Sequence, residues 1–324
     1  MRPPLAFALC LAVLANPGRG ADFQIAVIPK GTTHEYWRSI NAGAVKAQRE
    51  LKAAGTDVQI IWKGPLLEDD REQQIQVVEN FAGRGVSAIV LAPLDSRALV
   101  APVEDAVKAG IPVVVIDSAL KSTMTSSTVA TDNRKGGQLG ARRLGTLLGG
   151  KGRVVMLRYE VGSASTEERE EGFLEAMRSE FPAVQLISID QYGGATRETA
   201  YKASQNLLNR FGDGLDGVFA PNESTASGML LALREQGLTG KVRYVGFDAN
   251  EQLVDALRKG EIQGLVVQDP VKMGYLGVMT AVAVLRHEKV SPVIDTGVGL
   301  VTLENMNDPA VSALIHPPLS EYLK

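Results

Sequence analysis

Cysteine is almost absent from this chain, which contains one such residue, Cys10, among 324. An intrachain disulfide bond is therefore excluded, and with it the class of small domains that depend on such bonds for stability. We expect Cys10 to be removed with an N-terminal leader, so a cysteine nucleophile is not expected either. The length suggests about two domains, each large enough to form its own hydrophobic core.

Histidine is also scarce, and the chain has no excess of positive charge. His34, His287 and His316 show no spacing typical of metal ligands, so we predict no metal site. Lys and Arg number 34 against 37 Asp and Glu, whereas nucleic-acid-binding proteins usually carry a basic surface. We therefore expect no nucleic-acid partner. The stretch 145–152 resembles a phosphate-binding loop, but Gly152 replaces the required Ser or Thr, and we expect no cofactor.

The first twenty residues have the features of a secretory signal. Arg2 precedes an apolar run at 5–15, and small residues near Gly20 suit cleavage before the next residue. The run is too short to span a bilayer, which takes about 20 residues. We therefore expect an exported, periplasmic protein. A buried N-terminal helix and a lipid anchor at Cys10 are the alternatives.

Apolar, β-branched segments alternate with helical patterns along most of the chain. Strands that are apolar on both faces are typical of parallel sheets covered by helices, so the pattern predicts an α/β fold made of βαβ units. The predicted strands are 23–28, 58–62, 88–92, 113–116, 153–157, 184–189, 217–220, 244–247 and 264–268. The predicted helices lie near 37–54, 69–83, 97–109, 133–148, 166–180, 196–210, 224–236, 250–259 and 270–286.

One sequence pattern, a strand followed by a helix and a second strand, occurs twice. In each copy an apolar strand ends at Ala-Pro, a helix follows, and a second apolar strand ends at an aspartate, Asp117 in one copy and Asp248 in the other. Open α/β sheets bind ligands at their strand ends. The repetition therefore suggests two similar lobes that hold one ligand between them.

A break in the strand–helix pattern at 127–133 marks the first boundary between these lobes, and further crossings are expected near 268–270 and 295–299. The expected division is a leader at 1–20, an N-terminal lobe at 21–130 plus about 269–297, a C-terminal lobe at 131–268 plus about 298–304, and a surface tail at 305–324.

The two strand-end aspartates are candidate ligand contacts, because a carboxylate accepts hydrogen bonds from two hydroxyl groups at once. Local sequence also permits a turn at Asp117 and helix capping by Asp248, which forms a capping-box pattern with Glu251. A third possibility is that Asp117 and Asp248 form the acid–base pair of a glycosidase, although nothing in the sequence predicts a raised pKa for either one.

Four further residues have a functional and a structural interpretation. Tyr36 and Trp37 follow the first strand, and they can face a cleft or belong to the core. Asn222 at a strand end can bind hydroxyl groups or cap a helix. Arg169 lies in an acidic helix, where a solvated surface position is the alternative.

Taken together, eight segments resemble the periplasmic sugar-binding proteins of the ribose-binding type, which are related to the ligand domains of LacI-type repressors. The resemblance covers about Asp22 to Leu303 and implies two Rossmann-like lobes with parallel sheets, joined by a three-strand hinge. The segments are IAVIPKGTTHEYW (25–37), IVLAPLDS (89–96), VVVIDS (113–118), TDN (131–133), EREEGF (168–173), VFAPNE (218–223), VGFD (245–248) and VVQDP (266–270).

The resemblance implies a monomer that binds a sugar or polyol in the cleft without catalysis and delivers it to an ABC permease. A sensor that docks on a chemoreceptor or a histidine kinase is the alternative. The ligand contacts it implies are His34, Tyr36, Trp37, Asp95, Asp117, Ser118, Thr131, Arg169, Asn222, Phe247, Asp248 and Gln268.

Three positions depart from the pattern of ribose binders. Ribose binders carry Arg where this chain has Ser118, Asn where it has His34, and Arg where it has Glu167. Loss of an arginine removes a forked donor that contacts two oxygens. A ligand other than ribose is therefore expected. A different pentose or hexose, a polyol such as inositol, and a furanose-like signal molecule are the alternatives.

Overall fold

The computed structural model describes residues 21–323, so the predicted leader and Cys10 lie outside the described residues. Two six-stranded sheets, each flanked by helices, form two lobes. This arrangement confirms the predicted α/β class. Of the helices within 21–323, none is both long and apolar enough to cross a membrane.

The N-terminal lobe contains the sheet in the order β11-β5-β4-β3-β1-β2, in which all pairs are parallel. Its strands are β1 (Phe23–Ile28), β2 (Val58–Trp62), β3 (Ala88–Leu91), β4 (Val113–Ile116), β5 (Ser127–Ala130) and β11 (Val293–Asp295). Its helices are α1 (Glu35–Ala53), α2 (Arg71–Gly83), α3 (Val100–Lys108) and α9 (Pro270–Leu285).

The C-terminal lobe repeats this plan in the order β12-β10-β9-β8-β6-β7, and β12 is antiparallel to β10. Its strands are β6 (Gly152–Arg158), β7 (Val184–Tyr192), β8 (Gly217–Phe219), β9 (Arg243–Phe247), β10 (Gly264–Gln268) and β12 (Val298–Val301). Its helices are α4 (Asn133–Leu147), α5 (Ala164–Glu180), α6 (Arg197–Phe211), α7 (Glu223–Glu235), α8 (Glu251–Arg258) and α10 (Pro309–Ile315).

Each sheet is buried on both faces, which explains the continuous apolar runs in the sequence. Along β1, Ile25 and Val27 join one hydrophobic cluster with α1 and α9, whereas Ala26 and Ile28 join a second cluster with α2 and α3. Successive side chains of a strand point to opposite faces, so a strand covered on both sides needs apolar residues at every position.

The chain passes between the lobes three times, from β5 to α4, from β10 to α9 and from β11 to β12. Two of these crossings touch, because the hydroxyl oxygens of Thr131 and Thr296 lie 3.3 Å apart. The predicted contact residue Thr131 therefore lies in a crossing segment that joins the lobes.

One close helix pair in each lobe depends on glycine. In the N-terminal lobe a side chain at Gly43 or Gly274 would overlap the backbone of the facing helix, α9 or α1. In the C-terminal lobe the same holds for Gly137 of α4 and Gly172 of α5, and Gly137 faces the carbonyl group of Arg169. Glycine packing therefore sets the distance between α4 and α5.

The C-terminal tail is more ordered than the sequence suggests. Met306 and Ile315, the last residue of α10, are buried in the core of the C-terminal lobe. Beyond α10 the chain reaches the other lobe, where Arg49 of α1 donates hydrogen bonds to the carbonyl oxygens of Glu321 and Tyr322. The tail therefore contacts both lobes in addition to the three crossings.

Candidate functional site

The strand-end aspartates occupy equivalent positions in the two lobes. Asp117 follows β4 and Asp248 follows β9, with φ angles of 65° and 67°. Each backbone N–H donates to the neighbouring strand, to the carbonyl oxygen of Val129 or Val266. Aspartate is among the few residues that enter this left-handed region without severe strain. The repeated sequence pattern thus corresponds to a repeated backbone geometry, which places two buried carboxylates at the interface between the lobes.

On the N-terminal side, Asp117 is bonded to an aromatic and a basic residue. The Tyr36 hydroxyl group donates to Oδ1 of Asp117 at 2.8 Å, and Lys30 Nζ lies 2.9 Å from Oδ2. Burial, together with the charge of Asp117, raises the pKa of Tyr36 well above its ordinary value. Tyr36 contacts Trp37 edge-on, with ring centres 5.1 Å apart.

On the C-terminal side, Asp248 accepts two hydrogen bonds. Gln268 Nε2 donates to Oδ1 at 2.7 Å, and the backbone N–H of Glu223 donates to Oδ2 at 3.1 Å. Burial raises the pKa of Asp248 to about 6, although Arg169, whose Nη1 lies 3.8 Å from Oδ2, and Gln268 act in the opposite direction. The residue that caps α8 is Asn250, so the prediction that Asp248 caps this helix is wrong.

Arg169 is held rigidly inside the interface between the lobes. Its Nε donates to Oδ1 of Asn133 at 2.8 Å, and its Nη1 donates to the carbonyl oxygen of Pro221 at 3.0 Å. The guanidinium group stacks on Phe247, 4.0 Å from the ring centre, a cation–π contact. Because Arg169 is only 2% exposed, its interpretation as a solvated surface residue is wrong.

Two amide side chains serve the site in different ways. Asn222 caps α7 by accepting the N–H of Thr225, as one of its two interpretations predicts, and it also lines the cavity. Gln268 Oε1 is buried and has no hydrogen-bond partner among residues 21–323. An unpaired buried acceptor is costly, and Gln268 therefore offers a site for a donated hydroxyl group.

Glu68, in the loop between β2 and α2, joins residues of both lobes. It accepts the indole N–H of Trp37 at 2.6 Å and the hydroxyl group of Tyr159 at 2.5 Å, and it forms an ion pair with His34. Burial disfavours the carboxylate, yet the charge of His34 and these hydrogen bonds lower the pKa of Glu68 to about 2. Burial also opposes protonation of His34, but Glu68 outweighs it and raises the pKa of the imidazole.

The structure brings eight of the twelve predicted contact residues to one cavity between the lobes. They are His34, Tyr36, Trp37, Asp117, Arg169, Asn222, Asp248 and Gln268. The cavity lining also includes six residues that the sequence prediction missed, namely Lys30, Glu68, Tyr159, Ser165, Thr166 and Glu223. Lys30 had a usable signal, a polar residue just after an apolar strand, whereas Glu68 lies in a loop without one.

The other four predicted contact residues lie outside the cavity lining. Asp95 accepts hydrogen bonds from the backbone N–H groups of Arg97 and Ala98. Ser118 forms hydrogen bonds with Ser165 of the other lobe. Phe247 is fully buried beneath Arg169, and Thr131 lies in a crossing segment. These side chains hold the walls of the cavity instead of facing it.

The charges around the cavity are matched in pairs. Besides the pairs already described, Arg197 Nη2 lies 2.6 Å from Oε1 of Glu223. Within residues 21–323 there is no cluster of three or more His, Cys, Asp or Glu side chains placed to hold a metal ion. The arrangement presents hydrogen-bond donors, acceptors and aromatic rings from two sides, which suits a small polar ligand with several hydroxyl groups.

Comparison with protein-family models gives one match, to the periplasmic binding protein domain, over residues 25–289. Among curated proteins, the D-ribose/D-allose-binding protein of Pseudomonas aeruginosa is 30% identical over 290 residues, which cover 86% of this chain and 88% of that protein.

Solved structures show the same similarity. A carbohydrate transporter solute-binding protein from Agrobacterium radiobacter, in complex with D-arabinose, is 36% identical with a TM-score of 0.85, covering 91% of this chain and 99% of that one. An ABC transporter solute-binding protein from Agrobacterium vitis, with bound D-fucose, is 33% identical with a TM-score of 0.86, covering 90% of this chain and 100% of that one.

Proposed function

The chain belongs to the periplasmic binding protein family, and from this premise we propose that it captures a monosaccharide or related polyol between its lobes. The observation that carries the proposal is the pair of buried aspartates in matching left-handed conformations, one from each lobe, beside Tyr36 and Arg169. Such carboxylates accept hydroxyl groups, and an aromatic ring stacks on the apolar face of a sugar.

The binding energy of such a site is adequate for capture from dilute solution. Hydrogen bonds to charged groups contribute about 1.5–3 kcal/mol each. Asp117, Asp248 and Arg169 together with one aromatic contact can therefore reach the roughly −8 kcal/mol that corresponds to micromolar affinity or better. We take the eight cavity-lining residues of the prediction, together with Lys30, as the ligand contacts.

Binding requires the lobes to open and close. The residues around the cavity are nearly all buried, so a ligand enters only when the lobes separate. The three crossings supply the hinge, and the lobes comprise 21–130 with about 269–297 and 131–268 with about 298–304. Because a ligand between the lobes contacts both of them, it favours the closed form.

We further propose that this protein is the solute-binding component of an ABC importer in the periplasm, acts as a monomer, and delivers its ligand to a membrane permease without chemical change. The relatives support this role, because they are named as ABC transporter solute-binding proteins and as sugar-binding proteins. No bond of the ligand is made or broken in such a cycle.

A calorimetric titration with a panel of sugars tests the proposal. The panel contains D-arabinose, D-fucose, D-ribose, D-allose and xylitol, the ligands named for its relatives. We expect one of them to bind at one site per chain with a dissociation constant of about 1 μM or below. Asp248→Ala should abolish this binding, whereas Asp255→Ala, which changes a partly exposed aspartate of α8 outside the cavity lining, should leave it intact. Equal affinity in both variants contradicts the proposed site.

A further inference from the structure

The inference concerns Glu68, a carboxylate that the family resemblance does not assign, and it rests on the proposed function. Glu68 is 6% exposed and accepts from three donors. His34 and Trp37 bond to one carboxylate oxygen, and Tyr159 bonds to the other. Gly31 leaves the room that Glu68 needs, because a side chain at Gly31 would press on the Glu68 stem.

The two carboxylate oxygens of Glu68 serve different lobes. His34 and Trp37 belong to the start of α1 and its preceding loop, in the same lobe as Glu68. Tyr159 directly follows β6, in the opposite lobe. The contacts to His34 and Trp37 therefore persist when the lobes separate, whereas the contact to Tyr159 exists only when they are closed.

The segment that carries Tyr159 is attached to the N-terminal lobe at several further points. Arg71 Nη2 donates to the carbonyl oxygen of Val161 at 2.9 Å, and the N–H of Ser96 donates to that of Gly162 at 2.9 Å. Lys30 Nζ donates to the hydroxyl group of Ser163 at 3.2 Å. Closure therefore fixes the position of the Tyr159 hydroxyl group, which then donates a hydrogen bond to Glu68.

We propose that Glu68 is a positioning residue that couples the aromatic wall of the site to lobe closure. Its carboxylate orients the Trp37 indole and the His34 imidazole toward the cavity in both open and closed forms. When the lobes close, the bond from Tyr159 completes the hydrogen bonding of Glu68. Ligand release then requires this bond to break, so Glu68 and Tyr159 slow dissociation through the hydrogen bond between them.

Tryptophan fluorescence gives a readout of this coupling, since the chain has two tryptophans, Trp37 and Trp62. In a Trp62→Phe background, Trp37 reports alone. We expect Glu68→Gln to shift the emission of Trp37 without any ligand, because the charged acceptor of its indole N–H is lost. Tyr159→Phe should leave that emission unchanged in the ligand-free protein.

Stopped-flow kinetics with the tightest-binding sugar of the panel test whether the bond from Tyr159 to Glu68 slows ligand dissociation. Tyr159→Phe should raise the dissociation rate by about tenfold, the effect of one hydrogen bond to a charged group, with the association rate within about twofold. The double variant Glu68→Gln/Tyr159→Phe should dissociate little faster than Glu68→Gln, because both changes remove the same bond.

Tyr244→Phe is the matched control. Tyr244 is also fully buried, but its hydroxyl group donates to the carbonyl oxygen of Ala226 within the C-terminal lobe. This variant should lose some stability and keep the parental dissociation rate. An unchanged dissociation rate in Tyr159→Phe, additive effects in the double variant, or an unchanged Trp37 emission in Glu68→Gln would each overturn the inference. If the parent protein binds no sugar, the proposed function fails, and the Trp37 emission of Glu68→Gln still tests the positioning of Trp37.

Discussion

At the scale of single residues, the site combines charged groups whose protonation is set by burial and by pairing. Asp248 and Glu68 are both buried carboxylates, yet the pKa of Asp248 is raised to about 6 and that of Glu68 is lowered to about 2. The difference arises because Glu68 has three donors, one of which is the His34 imidazolium, whereas the nearest cation to Asp248, Arg169, lies 3.8 Å away. Of the two carboxylates, Asp248 is therefore the one that responds to mild acid.

The raised pKa of Asp248 predicts pH-dependent binding. Ligand hydroxyl groups donate to the ionised carboxylate, so protonation near pH 6 removes acceptors and weakens binding as the pH falls. At about pH 5 a group of this pKa is about nine-tenths protonated, and affinity should be about tenfold lower than at about pH 7.5. Titration calorimetry at the two pH values measures this ratio.

Asp248→Asn provides the control for this pH dependence. Asparagine has a similar shape and adopts the left-handed conformation readily, so the fold should persist. The variant should bind weakly at both pH values with no tenfold change between them. A parental ratio near one would contradict the prediction. A tenfold ratio that persists in Asp248→Asn would show that another group titrates.

Strand-end residues could be predicted from the sequence because their position relative to an apolar run is visible in it. This applies to Asp117, Asp248 and Asn222, which line the cavity where the repeated sequence pattern places them. Glu68 and Tyr159 could not be predicted in this way, since a loop conformation and a contact between lobes bring them there. Phe247 was expected to face the ligand, but the sequence does not show that Arg169 stacks on its ring.

At the scale of helices and strands, local sequence was highly informative. Each of the nine predicted helices is present with ends within three residues of the expected ones. The apolar and helical periods are strong in a βαβ fold because every strand is buried on both faces. The short β11 and β12 and the seven-residue α10 were not predicted, since so few residues show no clear period.

Packing of α4 against α5 affects the site, because Arg169 lies on α5 at this contact. Gly137 faces the backbone carbonyl group of Arg169, so Gly137→Ala must push α5 away and displace the arginine. We expect a loss of about 1–3 kcal/mol in the free energy of unfolding, as for other overpacked interiors, together with weaker sugar binding. Urea denaturation and calorimetry measure the two effects.

Gly83→Ala is the matched substitution in a helix. Gly83 ends α2, and a side chain there meets no neighbouring atom. Alanine should be neutral or stabilise the protein by up to about 1 kcal/mol, with unchanged affinity. Equal effects of the two substitutions would mean that helix propensity, and not the α4–α5 contact, is responsible.

At the scale of the whole molecule, two similar lobes, three crossings and a tail that contacts both lobes form a hinged clamp. Its interface is polar and charged, with direct bonds between the lobes such as that from the Tyr36 N–H to Glu223. Under the proposed cycle, these bonds form when the lobes close, and a ligand that contacts both lobes adds to them. The proposal therefore links ligand binding to compaction of the molecule.

Small-angle X-ray scattering with and without saturating sugar tests this link most directly. The radius of gyration of the parent protein should decrease when the tightest-binding sugar of the panel is added, because the lobes close around it. Asp248→Asn at the same sugar concentration should show little or no decrease. Stoichiometric sugar binding without any change in the radius of gyration of the parent would contradict the account.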